Sequence, residues 1–318
     1  MHPVAAVHQV AAAHPVPAPR PVPATQPAAA AHPATEAGTA PAFTTNEGAP
    51  LHVTRGRRDT VLHVPASLDL RDGRFDLLVH FHGPHDRTIA AFEQANLHAA
   101  IVSLNLGEGG ATYEGTASAP NLLDRLVAFV EGEIAKSGRL PNARVGRIAL
   151  SSWSAGFGAV REILRRPGDR ERIDALLMAD GLFTDWSSPS HVRGVTGKIR
   201  PSEDLAKIGE VVDFARRATE GEKLFVLTHT QIERRSYADA PDCAETMLRL
   251  FGVDRGVATR SPPRRPGSAG SEAVTYAADL SNFHVWGNNG KKWSDHIAQH
   301  KAMGTQHFAA LRVFWRRS

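Results

Sequence analysis

Two short runs constrain this chain more than anything else in it: Phe75-Asp-Leu-Leu-Val-His-Phe and Ile148-Ala-Leu place apolar side chains at consecutive positions. Successive side chains of a strand face opposite ways, so a run that is apolar at both is buried on both faces, the condition of a strand inside a helix-covered parallel sheet. From Leu51 onward such runs alternate with longer stretches of helical period, the pattern of strands joined by crossover helices. The predicted strands are 51–54, 60–64, 76–81, 99–104, 147–151, 175–178, 224–228 and 283–286. The predicted helices are 88–94, 121–136, 156–165, 202–218, 243–251 and 294–314. Leu122, Leu123, Leu126, Val127, Val130 and Ile134 share one face of the second, which should pack on the sheet. The fold class expected is α/β, a mostly parallel sheet of about eight strands flanked by helices.

The first 50 residues read differently. They hold 10 Pro and 16 Ala, with Phe43 the only aromatic, too little apolar surface to offset the entropy of ordering. Residues 1–50 are therefore predicted to be a disordered Pro/Ala-rich tail or linker, and 51–318 the folded domain. Within that domain 181–200 is a candidate lid and the Pro- and Arg-rich 261–270 a surface insertion.

Composition removes several functions. Lys and Arg number 37 against 33 Asp and Glu, and the basic pairs are not interleaved with aromatics, so nucleic acid is not an expected partner. The single Cys243 excludes an intrachain disulfide and an all-cysteine metal cage. No run reaches the roughly 18 apolar residues of a membrane helix, so the body is expected to be soluble. The N-terminus lacks the charged start and apolar block of a secretory signal, which leaves compartment open, as the sequence leaves oligomeric state.

The chemistry-bearing segment is the apolar strand that runs through Ser151 into Ser152-Trp153-Ser154-Ala155-Gly156 and then a helix. A sharp turn there would project one hydroxyl above the sheet edge, provided small residues let strand and helix approach. Gly156 and Gly158 supply these on the helix side, and Ser152 is small enough on the other. This resembles the nucleophile elbow of the α/β-hydrolases, with Ser152 in place of the first glycine of G-x-S-x-G. Upstream, His82-Gly83-Pro84-His85 at a strand end resembles the same family's His-Gly oxyanion loop.

The resemblance implies a serine hydrolase cleaving an ester-type bond through an acyl-enzyme, esterase- or lipase-like, acting on a small-molecule or lipid-like ester without cofactor or metal. Ser154 is the implied nucleophile, and the amide of Ala155 one oxyanion donor. Pro84 has no N–H, so Gly83 or His85 must supply the second. The family's base follows the last strand, which implies His296, with His300 one helical turn on as the alternative. Asp180, directly after the strand 175–178, is the implied acid, with Glu233 and Asp185 as alternatives.

Two other readings compete. His80-x-His82-x-x-His85 resembles the zinc motif H-x-H-x-D-H of metallo-β-lactamase-like hydrolases, with Pro84 where that motif has aspartate. A binding protein that keeps the fold but has a degenerate site is the other.

Overall fold

In the computed structural model, the residues described are 51–55, 59–68, 73–140, 142–185, 205–233, 237–257 and 274–317. The expected tail, most of the expected lid and the expected 261–270 insertion lie outside them.

The strands are β1 (Leu51–Arg55), β2 (Thr60–Val64), β3 (Arg74–Phe81), β4 (Ala99–Leu104), β5 (Arg144–Trp153), β6 (Ile173–Ala179), β7 (Leu224–His229), β8 (Gly256–Val257), β9 (Tyr276–Leu280) and β10 (Phe283–Gly287). They form one sheet in the order β1-β2-β4-β3-β5-β6-β7-β10-β9-β8. The six from β4 to β10 run parallel, and antiparallel strands close both edges. The described helices are α1 (His85–Ala95), α2 (Gly110–Ala117), α3 (Leu122–Lys136), α4 (Phe157–Leu164), α5 (Pro167–Arg172), α6 (Gly209–Thr219), α7 (Ala240–Phe251), α8 (Trp293–Ala302) and α9 (His307–Arg317). This is the α/β-hydrolase fold.

The alternation along β3 explains why the strand needs cover on both sides. Leu77, Val79 and Phe81 join the core under α2, α3, α4, α6 and α7, while Leu78 joins a second core under α1 and α9. Ala149, Trp153 and Leu177 face the second core, and Leu150 and Met178 the first. From β3 the chain crosses to β4 on one side and afterwards returns to β5 on the other. A crevice opens above the carboxyl ends of strands wherever the order reverses in this way, here between β3 and β5.

The sheet has ten strands rather than about eight, because Tyr276–Leu280 and Gly256–Val257 add an antiparallel edge. β9 buries only Ala278 and leaves Asp279 and Leu280 exposed, so it lacks the continuous apolar run that marks a central strand. α2 was not expected either: Gly110, Gly115 and two threonines give it little amphipathic signal. The expected helix 202–218 begins only at Gly209, after a 3-10 turn in which Ile208 leaves the helical region (φ −126°, ψ 27°). The expected single helix 294–314 is two. Between α8 and α9 the chain turns at Gly304, where a Cβ would stand 2.6 Å from the carbonyl oxygen of Ala91 in α1.

Gly156, which follows β5 in a 3-10 turn, is the tightest joint of this crevice: a Cβ there would lie 2.2 Å from Phe81 O and 3.0 Å from His82 Cβ. Gly156→Ala is therefore expected to lower unfolding stability by about 3 kcal/mol, the upper end of ordinary overpacking, by denaturant titration. Gly168→Ala, at a helical position with nothing within 4 Å, should leave it unchanged or slightly raised.

Candidate active site

Three neighbouring strands end in left-handed backbone at non-glycine residues: His82 after β3 (φ 73°), Ser154 after β5 (φ 49°) and Asp180 after β6 (φ 47°). Such conformations cost roughly 1–3 kcal/mol each and persist only where the surroundings over-determine them. The surroundings here are backbone. Gly156 packs on the β3 end, and a Cβ on Gly181 would meet Ser154 O, N and Cα at 2.7, 2.8 and 3.2 Å. Residue 181 must be glycine, and its closeness sets Asp180 beside the Ser154 turn.

Asp180 is almost fully buried and takes three hydrogen bonds. Thr230 N–H donates to Oδ1 at 2.9 Å, the Thr230 hydroxyl to Oδ2 at 2.8 Å, and His296 Nδ1–H to Oδ2 at 2.7 Å. A buried carboxylate is tolerable when its lone pairs are met in this way. The bond to Nδ1 fixes the His296 tautomer with its lone pair on Nε2. Nε2 is buried and has no protein partner among the described residues. The Gly83 amide, outside any helix or strand, donates to no backbone carbonyl among the described residues.

Trp153, just before Ser154, ties the elements together. Its Nε1–H donates to His296 O at 3.1 Å, and its ring packs on His82, His296 and His300 at centroid distances of 5.0, 4.8 and 5.0 Å. His82 Nδ1 pairs with the buried Tyr113 hydroxyl at 2.9 Å, and that hydroxyl accepts the Leu106 amide at 3.0 Å. Burial pushes the Tyr113 phenol up to about 12.

The structure thus brings Ser154, Asp180, His296, Gly83 and Ala155 to one crevice. His300 stands apart from the carboxylate. Its Nε2 pairs with Thr88 Oγ1 at 3.1 Å and presses on Gly83, where a Cβ would lie 2.5 Å away. Asp185 pairs with Lys207 at 2.5 Å in the exposed region, and Glu233 is exposed beyond β7, where Thr230 rather than a carboxylate reaches the site.

The zinc motif does not form a ligand set. His80 Nδ1 accepts the Ser151 hydroxyl at 3.0 Å and Nε2–H donates to His82 O at 2.7 Å, while His85 Nδ1 pairs with Ser103 Oγ at 2.9 Å. Among the described residues no three His, Cys, Asp or Glu side chains converge as a metal site.

Thr230, Trp153 and Tyr113 were not singled out in sequence as site residues. Trp153 lies inside the motif itself, and Thr230 directly follows β7, the strand next to the one that leads into Asp180.

No protein-family model and no curated protein sequence matches the chain. Among solved structures, it is similar to a feruloyl esterase module from Clostridium thermocellum, at 11% identity over 83% of this chain and 89% of that one, TM-score 0.43. It is also similar to an esterase from Pyrobaculum calidifontis, at 14% identity over 84% of each chain, TM-score 0.37. A siderophore hydrolase from Aspergillus nidulans overlaps at 14% identity over 84% and 98%, TM-score 0.34. With overlaps this loose, the ground for the fold is the sheet order. No described helix is long and apolar enough to cross a membrane.

The crowd of buried imidazoles has a consequence for stability. Burial first, then neighbouring histidines, hold His80 well below the ordinary histidine range, and burial holds His300 and His307 down to about 4 and lowers His82 and His229. All are neutral in the native protein at pH 7, whereas unfolded histidines take up protons near pH 6.5. The unfolded state then binds more protons, so stability is full above about pH 6.5 and falls as pH drops toward 4. Each such fully buried imidazole can contribute up to about 1.4 kcal/mol per pH unit. Denaturant midpoints from pH 8 to 4.5 should show this decline, and His307→Gln should flatten it. A flat profile would contradict the buried neutral histidines.

Proposed function

We propose that this protein is a serine esterase in which Ser154 attacks the carbonyl of an ester, His296 takes and returns the proton, and Asp180 orients the imidazole. The observation that carries the reading is the buried Asp180–His296 bond, which leaves a buried Nε2 without a hydrogen-bond partner among the described residues, on an imidazole packed against Trp153, the residue before Ser154. That is the state a general base needs. The amides of Ala155 and Gly83 are proposed to stabilise the oxyanion, each worth roughly 3 kcal/mol in such sites. Gly83 is held by the His300 ring, which occupies the space of a Cβ there, and Ala155 adjoins Gly156, where Phe81 O does the same.

In the first step Ser154 Oγ bonds to the acyl carbon, its proton passes to His296 Nε2 and then to the departing alcohol. In the second, water gives its proton to His296 and its oxygen to the acyl carbon, which releases the acid and restores Ser154. Asp180 keeps its charge throughout and stabilises the imidazolium. Thr230 keeps Asp180 from turning away through two hydrogen bonds. The esterases and hydrolases among the similar structures accord with an ester substrate.

Ser154→Ala is expected to abolish labelling by a fluorophosphonate probe and to lower ester turnover by about 10⁴-fold or more, with His296→Ala close behind and Asp180→Ala milder. Ser152→Ala should keep both labelling and turnover. Labelling retained in Ser154→Ala, or lost in Ser152→Ala, would overturn the assignment.

A further inference from the structure

His296 lies between two indoles. Trp153 stands 4.8 Å from it at 29° and Trp293 4.7 Å from it at 34°. Among the described residues the two indoles make no ring contact with each other, so each packs on the imidazole separately. Trp153 stacks in turn on His82 at 12°. Four rings therefore follow one another in the order His82, Trp153, His296, Trp293. The inner members are wholly or partly buried, and Trp153 is 8% exposed. The outermost, Trp293, is 58% exposed and is the barest large apolar side chain among the described residues.

We propose that Trp293 is the wall of a substrate subsite for a planar aromatic ring, so that the esters cleaved carry an aryl group on a short spacer from the scissile carbonyl. The proposal rests on the serine-esterase reading above. Two observations and one physical argument support it. Trp293 touches the ring of His296, so a group seated on the indole lies about one ring away from the reacting atoms. An aromatic column with an open end takes another flat ring in offset stacking, which adds to the burial any apolar group would give. The chain neighbours Lys291, Lys292 and Ser294 are exposed and polar. They add no continuous apolar trough for a flexible acyl chain, and a single indole fits a compact ring instead.

Matched esters isolate this effect. Methyl 3-phenylpropanoate against methyl 3-cyclohexylpropanoate tests the acyl side, and benzyl acetate against cyclohexylmethyl acetate the alcohol side. In one of the two pairs the aryl member should show kcat/KM about three- to tenfold higher, the range that aromatic stacking provides. Trp293→Ala should bring that ratio to near one, chiefly by raising KM for the aryl member, and Trp293→Phe should retain most of it. A disturbance of His296 would slow both members alike and leave the ratio unmoved. A ratio near one for both pairs in the parent protein, or one that survives in Trp293→Ala, overturns the subsite. Fluorophosphonate labelling of the parent, and saturation-transfer NMR of 3-phenylpropanoate on Ser154→Ala with and without Trp293→Ala, separate the two readings. Binding that depends on Trp293 without labelling sinks the esterase reading alone. Labelling without such binding or ratio sinks the subsite alone.

Discussion

The site depends on an approach of backbones so close that no side chain can stand between them. Phe81 O occupies the space of a Cβ on Gly156, and the Ser154 backbone occupies that of a Cβ on Gly181. These two contacts lock the ends of β3, β5 and β6 against one another. They also explain why three residues there keep φ between 47° and 73°, a region the chain would otherwise leave. Gly181 adjoins Asp180, and Asp180 holds His296 from another part of the chain, so one steric constraint passes from the turn to the carboxylate to the imidazole.

Histidine does unusual duty around this joint. His80, His82 and His300 pack as flat, half-apolar plates, each with ring nitrogens met by a hydroxyl or a carbonyl. Trp153 packs on His82, His300 and the His296 ring and donates its N–H to His296 O, so one side chain sets spacings that separate residues would otherwise have to set. The arrangement is firm while the imidazoles are neutral.

The sequence made the centre of the sheet legible and the edges much less so. β3, β5 and β6 are buried on both faces, so their composition alone marks them. β8 is two residues long and β9 buries one residue of five, and the break at Gly304 comes from packing against α1, which lies about 200 residues away in the chain and leaves no local trace. The same division runs through the site. Ser154, Asp180 and His296 could be singled out because each stands at the end of an apolar run or the start of a helix. Thr230 holds Asp180 through a contact spanning 50 residues, and nothing near Thr230 announces it.

The break between α8 and α9 has a mechanical side. From the turn at Gly304, His296 stands eight residues back along α8, about 12 Å at the helical rise, so a 5° tilt about that turn moves it by about 1 Å. Were α8 and α9 one continuous rod pivoting at its far end, the lever arm would be about 30 Å and the same tilt would displace the imidazole by nearly 3 Å. Reacting groups misplaced by about 1 Å already lose about a hundredfold in rate. The turn seated on Ala91 thus acts as a short mounting bracket for the histidine, and it isolates the imidazole from flexing of the C-terminal helix.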